Sequence, residues 1–248
     1  MGKPQRLLIS FLNLTYQYIS KPILFLIDSE SIHEAMTSLG EIFGKSLLAK
    51  KIIAKLLQFT DPRLKQNLAG IAFNNPVGLS AGFDYEAKLT QLLPCLDFGF
   101  ATVGTITHLP YEGNPKPRLG RLPKSHSIMV NKGFKNLGAK KIITKLKDLN
   151  FNFPLGVSIG RTNSPQLQTP KQGIKDIISA FILFEKAKVK NSYYELNISC
   201  PNLLGKEINF YSPADLTALL TAIDQLNIRK PIFIKSLTMI GRCFTDKI

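Results

Sequence analysis

The chain has 248 residues and a mass of 27.6 kDa, with 44% hydrophobic and 20% charged residues and a mean hydropathy of +0.05. This balance fits one large globular domain or two small ones and excludes a disordered, collagen-like or coiled-coil chain. Thirty-two Lys and Arg against seventeen Asp and Glu give a formal charge of +15, which suits nucleic acid, an anionic membrane face, acidic small molecules or a lysine-rich solvated surface.

Residues 5–20 place Leu8, Phe11, Leu12, Tyr18 and Ile19 on one helical face, and Lys21-Pro22 is expected to break it. The next apolar run, Ile23 to Ile27, is far short of the roughly 20 residues of a spanning helix. Met1-Gly2-Lys3-Pro4 with Arg6 fails the myristoylation pattern, and Asn13, Thr15 and Gln17 interrupt what would be the apolar region of a signal peptide. A second helix is announced by Ser31 and Glu34 at capping-box spacing, or by Asp28 one turn earlier. Its stripe is Ile32, Ala35, Met36, Leu39, Ile42 and Phe43, with Gly44 as the expected stop. A third helix is predicted from about Lys45 to Phe59, ended by Asp61-Pro62. Such apolar, partly basic helices either lie in a bilayer interface or pack as a lid on the rest of the chain.

Near residue 66 the pattern changes, which predicts a helical extension over 1–66 and a second unit over 67–248. Apolar runs at Val77–Ala81, Phe100–Thr105, Leu155–Ile159, Tyr194–Ile198 and Ile232–Lys235 alternate with helical patterns around Glu86–Leu96, Asn136–Leu149, Gly173–Lys188 and Pro213–Leu226. The alternation predicts an α/β fold with a parallel sheet. No GxGxxG or Walker A opens a crossover, which disfavours a nucleotide-binding doubly wound sheet. Small and polar residues gather where the runs end: Ser80/Gly82, Gly104/Thr105, Ser158/Gly160, Asn197/Ser199/Cys200 and Lys235. In a (β/α)8 barrel those ends form the active-site face. Five runs fall short of eight, so the expectation is either a fold that is not a closed barrel or the front part of one.

Cys95, Cys200 and Cys243 stand far apart with no CxxC pair, and there are three histidines. A disulfide framework or metal site is therefore not expected, and a reducing cytoplasm fits. From Gly113 to Lys147 ten Lys and Arg occur without an acid. No aromatic ladder interleaves them as a single-strand binder would want, and an anionic small molecule or a membrane suits the stretch as well as RNA does.

The ordered segments Asn75-Pro76-Val77-Gly78-Leu79-Ser80-Ala81-Gly82-Phe83-Asp84, Val103-Gly104-Thr105-Ile106-Thr107, Pro115-Lys116-Pro117-Arg118-Leu119, Gly133-Phe134-Lys135-Asn136 and Asn197-Ile198-Ser199-Cys200-Pro201-Asn202 resemble dihydroorotate dehydrogenases. The leading helices, with His33-Glu34, are similar to the membrane-associated extension of the class 2, quinone-dependent members. The resemblance covers about residues 20–235. It implies a TIM-type (β/α)8 barrel, here C-terminally truncated, that binds FMN and oxidises dihydroorotate to orotate in pyrimidine biosynthesis. It also implies quinone as acceptor and a peripheral position on the inner face of the membrane.

Carried over residue by residue, the resemblance implies FMN contacts at Ala81, Gly82, Thr105, Ser158, Asn197 and Lys235. It implies substrate contacts at Asn131, Gly133, Phe134, Asn197 and Asn202. Small residues at 81–82 would let the ring approach bare backbone, and an Asn can both donate to and accept from a cyclic imide. Cys200 takes the position of the base that receives a proton, a task a thiolate performs near neutral pH if its pKa is tuned. Cys95 and Cys243 read as structural. Some positions depart from the pattern. Class 2 members carry Ser where Cys200 stands, Tyr85 replaces a Lys, Val130 replaces an Asn that Asn131 follows one position late, and Ser158 replaces an Asn. Two other readings are a tRNA-dihydrouridine synthase-like FMN barrel acting on RNA and a non-catalytic peripheral membrane remnant. Against the first, that family has Gly where Ser199 stands and lacks the leading helices.

Overall fold

The computed structural model describes residues 3–205, 208 and 210–236; Cys243 lies outside them. Helix α1 (Lys3–Thr15) runs through a π turn at Tyr16–Ser20 into α2 (Lys21–Phe25). The expected break at Lys21-Pro22 does not occur. Lys21 N–H bonds to Tyr16 O five residues back, and the wider turn lies just where proline would disturb an ordinary helix.

Helix α3 (Ser29–Lys45) starts at Asp28, whose carboxylate accepts the Ser31 N–H at 2.8 Å. Of the two predicted starts, the earlier one is realised. Gly44 does not stop the helix but lies within it, buried. A Cβ there would sit 3.2 Å from Gln91 Cβ, and one on Gly40 would run into the Leu89 side chain. The two glycines let α3 press closely on residues 89–92. Ser46 then caps α4 (Leu47–Leu57), which is shorter at both ends than predicted.

The face of α3 that turns inward carries Glu30, Thr37, Gly40 and Gly44, while Met36, Leu39, Ile42 and Phe43 of the apolar stripe are exposed. Leu7, Phe11, Leu47, Leu48, Ile52 and Leu56 of the neighbouring helices are exposed as well. α3 packs on the body through the polar and small residues Glu30, Thr37, Gly40 and Gly44 rather than through most of its apolar stripe. No helix among the described residues is long and apolar enough to cross a membrane.

Two short antiparallel hairpins went unpredicted. β1 (Gln66–Leu68) pairs with β2 (Ile71–Phe73), and β5 (Leu119–Leu122) pairs with β6 (Ser127–Val130). Strands of three or four residues are too short to display an alternating pattern.

The main sheet is parallel throughout, in the order β3 (Gly78–Leu79), β4 (Phe100–Ile106), β7 (Leu155–Ile159), β8 (Tyr193–Asn197) and β9 (Ile232–Lys235). Helices α5 (Gly138–Leu146), α6 (Pro170–Lys186) and α7 (Pro213–Asp224) connect the strands from β4 onward. Sequential parallel strands with helical crossovers give the α/β architecture of a (β/α)8 barrel with five strands in place. Among the described residues β3 and β9 remain the two edges, so the barrel does not close. Val103, Leu155, Val157, Tyr194 and Leu196 pack with Ile142, Leu146, Ile177, Phe181, Phe184 and Leu219 into one buried core between sheet and helices.

The predicted helix over Glu86–Leu96 is a correction. The segment holds turns and a short 3-10 helix at Leu93–Leu96. Ala87 has a positive φ of 55°, and the buried Asp84 carboxylate accepts the N–H groups of Lys88 and Leu89, each at 2.8 Å. A side chain that satisfies these donors competes with the helix. Burial pushes the Asp84 carboxyl above the ordinary range, against the pull of the two N–H groups. Asp84→Ala strands both donors and is expected to cost about 2–3 kcal/mol in urea denaturation. An unchanged midpoint would mean that the turn is held by other contacts.

Candidate active site

Registers Ile106↔Ile159 and Asn197↔Lys235 bring the C-terminal ends of β4, β7, β8 and β9 to one level. A pocket of about 210 Å³ opens there, lined by Ala81, Gly82, Tyr85, Thr105, Val130, Lys132, Gly133, Phe134, Lys135, Asn197, Ser199, Cys200, Pro201, Asn202 and Lys235. Eight of the sequence-predicted residues other than Cys200 therefore meet on one wall, with Cys200 beside them.

Beneath the wall runs a hydrogen-bonded row. Ser158 donates to the Glu195 carboxylate at 2.7 Å, so its oxygen accepts from Thr105 at 2.9 Å, and Asn197 Nδ2 donates to Thr105 at 2.7 Å. Each hydroxyl has one proton, which fixes the direction of the row from Asn197 to Glu195. Asn197 Oδ1 accepts from Ser199 N–H at 3.1 Å and Ser199 Oγ at 2.9 Å. The Oδ1 end of that amide thus holds the loop that carries Cys200, while the Nδ2 end ties it to β4 through Thr105. Lys235 Nζ stands 4.0 Å from Glu195 Oε1. Ser158 is fully buried and supports Thr105 rather than lining the pocket.

Asn131 is the other predicted contact that does not reach the wall. Its Oδ1 accepts from Asn114 Nδ2 at 2.8 Å, while its neighbours Val130 and Lys132 line the pocket. Asn114 also donates to the Asn202 carbonyl at 2.9 Å, and Asn202 Nδ2 donates to the Val130 carbonyl at 3.0 Å. The loop after β8 is thereby stitched to the hairpin β5–β6. Gly133 and Phe134 follow each other with φ of 62° and 64°. A Cβ on Gly133 would meet the amides of Asn114 and Asn163, so glycine is required there twice over.

Cys200 is half-buried. Burial pushes its thiol up, while the Asn202 N–H and the charges of Arg161 and Lys235 pull it down by less.

A second cavity of about 770 Å³ lies between α3 and the hairpin β5–β6. Ile32, Met36, Leu79, Phe83 and Ile128 make it largely apolar, with His33 and Arg121 among its polar residues, and Ala81, Gly82, Val130 and Lys132 are common to both cavities. His33 stacks on Tyr85 at 5.5 Å and bonds to the Phe83 carbonyl at 2.9 Å. Burial, followed by the Lys132 charge, keeps its pKa below the ordinary value. The roof is locked to the body by ions. Glu30 meets Arg118 at 3.0 Å and Lys135 at 3.3 Å, and Lys135 meets Glu34 at 2.5 Å.

Sequence reasoning passed over Glu195, Lys132, Asn114 and Glu30. For Glu195 a signal existed: Tyr193, Glu195 and Asn197 alternate with Tyr194 and Leu196, which places the polar set on one face of β8.

A family model described as dihydroorotate dehydrogenase matches residues 63–238. A relative from Chloroflexus aurantiacus, named dihydroorotate dehydrogenase (quinone), is 38% identical over 220 residues, covering 86% of this chain and 58% of its own. One of the same name from Trichormus variabilis is 34% identical over 232 residues, covering 89% and 60%. Among solved structures, a DHODH from Eimeria tenella in complex with ferulenol superposes with a TM-score of 0.66 at 27% identity, over 85% of this chain and 61% of that one. The ligand-free form from the same organism gives 0.63 at 28% identity, over 82% and 62%. The chain spans about three-fifths of the length of these relatives.

Proposed function

The chain belongs to the dihydroorotate dehydrogenase family, and from that premise we propose that the pocket at the strand ends oxidises dihydroorotate to orotate with FMN. The observation that carries this reading is the convergence of Ala81, Gly82, Thr105, Asn197, Cys200, Asn202 and Lys235 on one pocket from four separate stretches of chain. The pocket's residues fit the flavin ring. Gly82 has φ of 106° with no atom within 4 Å of where a Cβ would stand, so the backbone there is open to a flat ligand. Thr105, Asn197 and Lys235 offer hydroxyl, amide and ammonium groups to a polar ring edge.

FMN, when bound, supplies the ring that accepts hydride from the substrate. Cys200 Sγ receives the proton leaving the neighbouring carbon, which requires the thiolate. Asn202, Gly133 and Phe134 orient the substrate, and Asn197 fixes the Ser199–Cys200 backbone. Ser158 acts behind Thr105, and Asn131 through Asn114.

The apolar cavity beneath α3 suits a hydrophobic acceptor, and its shared wall with the pocket supports quinone as the reoxidant. Turnover of dihydroorotate with a soluble quinone analogue tests the acceptor. Reduction of fumarate or NAD without any quinone activity would contradict it.

The outward apolar faces of α1, α3 and α4 support peripheral attachment of a helical unit, residues 1–66, to the inner face of a membrane, with residues 67–248 forming the flavin-binding unit. Lys45, Lys50, Lys51 and Lys55 favour anionic lipid by on the order of 1 kcal/mol each. Vesicle flotation is expected to recover more protein with anionic than with neutral lipid, and less at high salt. Equal recovery in all conditions would contradict membrane attachment through these residues.

A further inference from the structure

We propose that Lys132 is the residue that selects for an anionic substrate in this pocket, pairing with the substrate's carboxylate. The proposal deepens the dihydroorotate reading and rests on it. Three lysines line the pocket: Lys132, Lys135 and Lys235. Lys135 is neutralised by Glu30 and Glu34, and Lys235 stands beside Glu195. Lys132 differs from both. It is 8% exposed, and among the described residues no carboxylate lies within 4.0 Å of it.

Its contacts are neutral. Nζ donates to the Tyr85 hydroxyl at 3.2 Å and lies 4.3 Å from the centre of the Tyr85 ring. Burial holds the Tyr85 hydroxyl well above its ordinary pKa, so it does not supply a counter-charge. The nearest acids, Glu30 and Glu34, are already bonded to Arg118 and Lys135. Burial also pulls the Lys132 ammonium below the ordinary lysine value, more than those acids raise it.

A buried ammonium with only neutral partners is costly, and an anion arriving in the pocket relieves that cost. The Tyr85 ring and hydroxyl keep the ammonium at the wall instead of letting it reach solvent. A neutral ring of the same shape gains nothing from this charge. The geometry therefore separates a ring acid such as orotate from an uncharged pyrimidine.

Calorimetric titration of the full chain at saturating FMN, with orotate and with uracil as probes, tests the assignment. Orotate is the product of the proposed reaction, so no turnover intervenes. Lys132→Met is expected to weaken orotate about 10- to 100-fold and leave uracil unchanged. Lys132→Arg is expected to retain part of the orotate affinity. Raising salt should weaken orotate binding to the wild-type protein and leave Lys132→Met indifferent. Unchanged uracil affinity reports that the variant is folded; if Lys132→Met loses uracil too, Lys132→Gln and Lys132→Arg decide by the same comparison. Orotate binding that survives removal of the charge would overturn the Lys132 assignment alone. Wild-type protein that binds neither probe would overturn the substrate reading, and this assignment with it.

Discussion

Cys200→Ala is expected to slow reduction of bound FMN by dihydroorotate about 10²- to 10⁴-fold, the range for loss of a positioned base. The flavin should stay bound, because Cys200 belongs to the loop after β8 and not to the Ala81–Gly82 cradle. The pH dependence has a definite sign. Burial raises the thiol, so little thiolate is present near neutrality, and the rate in the wild-type protein should climb with pH through a value above the ordinary thiol range. A bound substrate that draws Lys132 and Lys235 toward itself would change the charge felt by the sulfur but not reverse that slope. Cys200→Ser should keep partial activity with its optimum moved further up, since a hydroxyl is the weaker acid. Cys95→Ala, a change remote from the pocket, serves as the silent control. Stopped-flow flavin reduction across pH reads all four proteins; wild-type speed in Cys200→Ala would remove Cys200 from the mechanism.

Glu30→Ala is expected to be the most destabilising single change in the helical extension. Glu30 is 4% exposed and holds both Arg118 and Lys135, so its removal leaves the largely buried Arg118 guanidinium without a carboxylate and Lys135 with Glu34 alone. Breaking one partner out of such a cluster costs about 3–5 kcal/mol. Burial pushes the Glu30 carboxyl up, but its bonds to Arg118 and Lys135 outweigh this and hold it below the ordinary value. A lowered carboxyl contributes stability that is present above its unfolded pKa and is lost as pH falls through the folded one. The contact of α3 with the hairpin should therefore hold above the ordinary carboxylate range and loosen as the pH falls below it. Urea midpoints at neutral and acid pH check this: the gap between wild type and Glu30→Ala should shrink in acid. A constant gap would show that ionisation of Glu30 is not what joins the two elements.

How much of this was legible follows from how local each signal is. β7 and β9 were placed residue for residue, because a short apolar run between polar ends has one reading in an alternating chain. The strand-end residues Thr105, Asn197 and Lys235 were found by the same pattern, since parallel strands in sequential order must bring those ends together. Ser158 and Asn131 were expected at the ligand and stand one step behind the lining of the pocket. Their partners, Glu195 and Asn114, lie 37 and 17 residues away, and nothing local points to them. The stripe on α3 was read correctly as apolar and left open as to its neighbour. What decides its direction is the pair Gly40 and Gly44 against Leu89 and Gln91, a close approach across fifty residues of chain. The helix over Glu86–Leu96 failed because the buried carboxylate of Asp84 captures the N–H groups that the helix needs. Tyr85 read as a lost positive charge. In three dimensions its ring instead holds Lys132, a charge delivered from the far end of another hairpin.

The most direct test of the central claim is anaerobic addition of dihydroorotate to the FMN-loaded protein, followed by the flavin's visible absorbance. The account predicts that the band bleaches, that orotate forms in proportion to the flavin lost, and that a quinone analogue restores the colour. Flavin that binds to the pocket but keeps its full absorbance with dihydroorotate, across the pH range in which Cys200 ionises, would contradict it.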